Sequence, residues 1–390
     1  MFPQFNIHSI PLLILVLQGL IFAVLLLHRF FQKRQIADLL IASLLILMAY
    51  HRTTYTIGFM GWYDTFQNTK INYFLLSMDL AMGPLVYLYI RSAVKPKVHF
   101  AKKDWLHFLP VFIFILYRLV ILIHDSGQPD WDSGYEGEWH RDIHLPYVVP
   151  FHRLLEYTSI LLYMAFSVQL FVQYQRKIRQ YFSNTYKLEL NWLQAFLALY
   201  IFLFVYGTLT DMIDGFVTEL HYAHVWWVHF FDAIAMVFVG MKAWFTDLAR
   251  LHQLTFDIPV SEEERSASSL KDYSKEKEML IRIMKEEKPY LKSDYNLKEL
   301  AIAAGKSINE ISEVINTGFG CNFNEFINRY RVEEMQKRLT DPQYDHISIL
   351  AIAFDSGFNS KATFNRIFKQ FTGTSPSQFK KSQQRSQERL

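Results

Sequence analysis

The stretch Lys361–Thr372, KATFNRIFKQFT, concentrates groups that can read another molecule. At helical spacing Phe364 and Phe368 fall on one face, and Lys361, Asn365, Arg366 and Lys369 on the other. None of the four is placed for bond-making chemistry. Arginine and lysine donate to guanine O6 and N7, asparagine pairs bidentately with adenine, and the cations also meet phosphates. Ser360 precedes the run and supplies an N-cap oxygen. Before it, Ile349, Ile352 and Ala353 share one face of a first helix and Gly357 stands at a turn. The order is that of a helix-turn-helix.

The same order occurs earlier in the chain. Leu297, Leu300, Ala301 and Gly305 recur 52 positions later as Ile349, Ile352, Ala353 and Gly357. With one residue more in the second turn, Ser307, Ile311 and Ile315 recur as Ser360, Phe364 and Phe368. Between the copies, residues 324–339 form a helix-length run with Phe326, Ile327, Tyr330 and Met335 on one face. Such a rod could hold two reading heads for successive major grooves, about 34 Å apart on one face of a duplex.

Three motifs, LKELA–G–S, NFNEFINRYRVEEMQKRL and IA–GF–S–FNRIFKQFTGTSP, together resemble the DNA-binding domain of the AraC/XylS family of bacterial transcriptional regulators. The resemblance covers about 85 to 100 of the 390 residues. It implies base contacts at Lys361, Ala362, Asn365 and Arg366 in the second head, and at Asn309, Ser312 and Glu313 in the first. Glu313 departs from the pattern, because a carboxylate stands where a basic or amide side chain is common. It suits cytosine N4 but is repelled by phosphate, so a weaker first head is an equal expectation. Lys306 likewise replaces a usually apolar residue. Ser307, Ser360 and Lys369 are candidate phosphate contacts. From 361 onward seven basic residues face Glu388 alone, a local excess in a chain of net charge only +3. Specific contacts must therefore carry more of the binding than bulk attraction.

The rest of the chain is of another kind. With 51% hydrophobic, 16% aromatic and only 20% charged residues, the composition is too apolar for an ordinary soluble protein. Seven apolar segments, at roughly 10–27, 37–58, 72–90, 105–123, 151–174, 191–211 and 224–244, approach the ~20 residues that cross a bilayer. Alternate loops carry twelve Lys and Arg residues, and the opposite ones only Lys70 and Arg141. This bias places the basic loops inside, the N-terminus outside and the C-terminal domain in the cytoplasm, at the inner membrane. The first segment reads as a retained span, since its positive charges follow the apolar run. The expected architecture is all-α. A seven-helix transmembrane bundle over 1–245 leads to a linker over 246–270, a connecting helix over 271–294 and a double helix-turn-helix domain over 295–382. Met279, Leu280, Ile283 and Met284 give the connecting helix an apolar stripe, fit either for dimerisation or for support of the domain behind it.

Charged residues inside spans are costly and usually face a bundle interior. Arg52, Asp79, Arg118, Glu156 and Asp232 fall at similar depth in five segments, which suggests either one polar ligand pocket or a packing network. His140 and His144 are four apart in an acidic, aromatic loop, but Gly and Pro nearby oppose a stable helix and no metal is expected. No cofactor is expected either. The lone Cys321 excludes an intramolecular disulfide. The chain is not read as an enzyme, because its last 120 residues lack a glycine-rich nucleotide loop and are too few for a kinase domain. The expected partners are double-stranded promoter DNA, the lipid bilayer, an unknown small ligand or membrane partner, and a second copy in a homodimer. The rival reading is a transporter or membrane receptor with a regulatory tail, against which stands the lack of a visible repeat among the spans.

Overall fold

The computed structural model describes residues 2–65, 78–95, 100–128, 137–185, 190–246 and 272–387. They fall into two compact units. The first joins Met1–Val172 to Asn191–Leu254, and the second joins Gln173–Leu190 to Thr255–Leu390. Among the described residues the fold is helical, with one isolated antiparallel bridge between Phe182 and Asn296.

The first unit contains α1 (Ser9–Lys33), α2 (Ile36–Phe59), α3 (Met82–Val94), α4 (Leu109–Ser126), α5 (Val149–Tyr181), α6 (Asn191–Phe216) and α7 (Tyr222–Phe245). The end of α5 passes into the second unit. In α1 the buried positions Leu12, Val16, Gly19, Ala23 and Leu26 alternate spacings of four and three, the seam of closely aligned helices. Its other face exposes Ile14, Leu17, Ile21 and Val24, between 50% and 64% accessible. A helix apolar on both its packed and its open face suits a hydrocarbon surround better than water. α1 and α2 pack along each other, and α7 packs on both.

Among the described residues six helical stretches, where seven spans were expected, are long and apolar enough to cross a membrane: Ser9–Lys33, Ile36–Phe59, Lys102–Ser126, His140–Tyr181, Asn191–Phe216 and Ala223–Phe245. The expected third span, 72–90, is not among them. Its first part lies outside the described residues, and α3 has 13 residues, short of the ~20 a crossing requires. The linker expected over 246–270 also lies outside the described residues, save Thr246. The two histidines read as loop residues begin a run of π turns, His140–Val148, that holds Pro146 and continues directly into α5. The helix survives the proline because its wider turns relieve the lost hydrogen bond.

The second unit contains α8 (Ser274–Glu286), α9 (Leu297–Ala303), α10 (Ile308–Glu313), α11 (Phe323–Thr340), α12 (Ile349–Asp355), α13 (Lys361–Thr372) and α14 (Pro376–Gln387). Five of its helices start at side-chain caps. Asn296, Ser307, Asn322, Ser348 and Ser360 each accept a backbone N–H from the first turn. Two cores share α11. Phe323, Phe326 and Ile327 join the first head with Leu297, Leu300, Ile311 and Ile315, whereas Val332, Met335 and Leu339 join the second with Ile352, Phe364 and Phe368. The α8 stripe of Leu280, Ile283 and Met284 is buried in the first of these cores.

Candidate nucleic-acid interface

Each head is a short helix, a turn with a left-handed glycine, and a capped second helix. Gly305 has φ +62° and Gly357 φ +92°, the region where a Cβ is disfavoured. The two helices that follow differ. In the second head, α13 runs for 12 residues and ends at Gly373 with φ 76°. Phe364, Ile367 and Phe368 are buried beneath it, and Lys361, Ala362, Asn365, Arg366 and Lys369 are all exposed on its outer side. The Ser360 hydroxyl accepts the Thr363 N–H at 3.1 Å and donates to the Thr363 hydroxyl at 3.0 Å, fixing the start of that face.

The first head is less regular. α10 spans six residues before the chain widens into π turns over Val314–Gly318. Ser307 and Glu310 form a reciprocal capping box, with bonds of 3.2 and 2.9 Å. The Ser307 N–H and hydroxyl hold the Glu310 carboxyl below the usual carboxylate range. Asn309 is exposed, but Ser312 is half-buried and accepts from Asn316 at 3.2 Å. Glu313 is also half-buried and accepts a hydrogen bond at 2.6 Å from the hydroxyl of Tyr273, the residue just before α8. Lys306 lies 3.4 Å from Glu310. The outer face of this head therefore offers fewer free donors than α13.

One residue at the heart of the unit escaped sequence reasoning. Arg331 is 1% exposed, a cation in the shared helix α11. Its Nε donates to the Tyr290 carbonyl at 2.7 Å, Nη2 to the Lys292 carbonyl at 2.8 Å, and Nη1 to the Ser183 carbonyl at 3.2 Å. Burial pushes its pKa down to about 9, with Asp294 opposing, so it stays charged at neutral pH. The signal was its spacing, since Ile327 and Met335, four residues to either side, are both fully buried. Lys380 pairs with Asp345 at 3.1 Å, whereas Lys381 is exposed.

The five charges within the spans have near charged or polar neighbours. Arg52 meets Asp232 at 3.0 Å and also contacts the His229 ring. Asp79 pairs with His51 at 3.0 Å. Arg118 lies 3.1 Å from the His140 ring, whose backbone N–H donates to Asp125 at 3.0 Å. Glu156 is within electrostatic reach of Asp79. Arg52 and Asp232 both line a cavity of about 140 Å³, walled by Leu44, Met48, Ile160, Phe196, Tyr200, Leu203 and Val239. Among the described residues no cluster of His, Cys, Asp and Glu has the geometry of a metal site, and His140 and His144 stack with ring centres 4.9 Å apart.

Comparison with known proteins agrees with the geometry of the second unit. A family model described as a helix-turn-helix domain matches residues 300–382. An uncharacterized HTH-type transcriptional regulator of Staphylococcus aureus strain COL is 36% identical over 87 residues, 22% of this chain and 11% of that protein. A homologue from strain N315 gives the same figures. The probable transcription factor PqrA of Proteus vulgaris is 35% identical over 83 residues, 21% of this chain and 66% of its own length. The chain thus spans about a tenth of the length of the Staphylococcus relatives it matches. No solved structure matches it.

Proposed function

We propose that this chain, whose residues 300–382 are a helix-turn-helix domain of AraC type, is a membrane-integrated transcription regulator that binds promoter DNA sequence-specifically. The observation that carries the reading is α13. It is a capped helix with a fully buried aromatic floor and an outer face of Lys361, Asn365, Arg366 and Lys369. Arg366 and Lys361 would donate to guanine, Asn365 would pair with adenine, and Ala362 would lie against a thymine methyl. Lys369 and the N-terminal turns at Ser360 and Ser307 would hold phosphates.

In the first head Asn309 would make the principal base contact. Ser312 and Glu313, engaged by Asn316 and Tyr273, would contribute less. The excess of basic residues in alternate loops supports a cytoplasmic DNA-binding unit. The cavity beside Arg52 and Asp232 supports a sensing role for the first unit, with a small ligand that is mostly apolar and carries one polar group.

Selection of duplexes from a random pool by the full chain in lipid nanodiscs, followed by footprinting, tests the reading. Two protected major-groove segments one helical turn apart are expected. Uniform retention of all sequences would refute it.

A further inference from the structure

The end of α5 is part of the core of the second unit, not a free connector to it. Tyr181 is buried with Leu280, Leu297 and Phe323. The next residue, Phe182, pairs with Asn296 as an antiparallel bridge, and the Ser183 N–H donates to the Tyr295 carbonyl at 3.2 Å. From α11, the Asn324 amide donates to the carbonyls of Phe182 and Ser183 at 3.2 and 2.8 Å. Arg331 donates to the Ser183 carbonyl and, at 3.0 Å, to its hydroxyl. All these residues belong to the second unit. The same guanidinium holds the carbonyls of Tyr290 and Lys292 in the loop that leads into the first head. One buried cation thus fastens three pieces: the end of α5, the entry to the first head, and the rod that joins the heads.

The length of α5 gives this fastening a consequence. At 33 residues the helix is about 50 Å long, some 20 Å more than a ~30 Å hydrocarbon core. Its last turns carry Arg176, Lys177 and Arg179 and so continue into water. We infer that Tyr181–Ser183 is a clamp by which the end of α5 fixes the angle of the first head on α11, so that displacement of this helix end alters the spacing of the two recognition helices. The inference rests on the two-headed DNA reading above. It goes beyond that reading in naming the contact through which the membrane region would act. No separate phosphorelay or dissociated messenger is needed, since the α5 backbone is continuous with the clamp.

The test uses the full chain in nanodiscs, in a Cys321→Ser background. Thr185, 4% exposed just past the clamp, is replaced by Cys as a probe, and exposed Lys177→Cys is the control. Maleimide should react at 185 at least about tenfold more slowly than at 177, because the site must open first. Asn324→Ala or Ser183→Ala, each removing hydrogen bonds to the clamp, should bring the two rates within about threefold. Equal rates at 185 and 177 in the parent would overturn the clamp.

The second arm uses the selected operator with one base pair inserted between its halves, which turns one half-site by about 35°. The parent should lose at least about tenfold in affinity and Asn324→Ala less than about threefold, because a loosened head tolerates the new spacing. Identical penalties in parent and variant, with the 185 probe freed, would overturn the coupling role. A pool that yields no operator at all would count against the DNA reading, while the labelling arm still decides the clamp.

Discussion

Gly305 and Gly357 occupy equivalent turns of the repeat, and replacing each with alanine separates two effects that act together at only one of them. Both have positive φ, so a Cβ brings a conformational cost of roughly 1–2 kcal/mol, partly offset by the ~0.4–1 kcal/mol gained from a stiffer unfolded chain. Gly305 has nothing within 4 Å of the added carbon. Its substitution should therefore cost about 1 kcal/mol. At Gly357 the new carbon would lie 2.2 Å from the Tyr290 carbonyl oxygen, 2.8 Å from Arg331 Nε and 3.1 Å from Leu291 Cα. Backbone cannot swing aside as a flexible side chain does. Relief requires moving the loop that Arg331 holds, an overpacking cost of about 1–3 kcal/mol.

Gly357→Ala should thus destabilise the second unit by roughly 2–4 kcal/mol in all, and more than Gly305→Ala. All eight tryptophans lie at or before residue 244, so tryptophan fluorescence is blind to this unit. Hydrogen–deuterium exchange of peptides from α11 and α13, in the full chain, reads the opening free energy directly. Equal costs at the two glycines would refute the argument from close approach, and a neutral Gly357→Ala would refute the packing of the second head on the Tyr290 loop.

Other consequences follow from single side chains. Ser360→Ala removes the acceptor for the Thr363 N–H and should fray the start of α13 by about 1 kcal/mol, seen as faster amide exchange at residues 361–364. Arg366→Ala should cost about 1–3 kcal/mol at its preferred base and relax specificity there, whereas Lys369→Ala should weaken all sequences alike and reduce the salt slope by about 1 in a titration. Glu313→Gln should change operator preference little, because Tyr273 occupies the carboxyl; a new preferred base in a repeated selection would contradict this. Replacing Arg52 and Asp232 together, by Gln and Asn, removes the ion pair of the cavity without leaving a lone charge. Membrane abundance should be retained and the response of target genes lost; normal response would exclude the cavity from sensing.

The helix-turn-helix domain was legible because its requirements are local. Positive-φ turns favour Gly305 and Gly357, caps use Ser307 and Ser360, and the small Ala301 and Ala353 are buried, 2% and 0% exposed. What sequence could not show depends on contacts remote along the chain. Arg331 and Ser183 are 148 residues apart, and Tyr273 reaches Glu313 across 40. Hydropathy marks a span but carries no direction around the helix. Arg118 therefore meets His140 and Asp79 meets His51, while Arg52 and Asp232 meet each other. The expected third span is not among the six because the first part of 72–90 lies outside the described residues and the described helix, Met82–Val94, is short.

The most direct test joins the two halves of the account in one experiment. Cells expressing the full chain are crosslinked, the membranes are washed with alkaline carbonate to strip peripheral protein, and the DNA retained with the chain is sequenced. A small set of enriched sites is expected, each with two half-sites about one helical turn apart, with weaker enrichment and a relaxed base preference on Arg366→Ala. Retained DNA no more enriched than with a chain lacking 295–382, or the chain itself washed from the membrane, would contradict it.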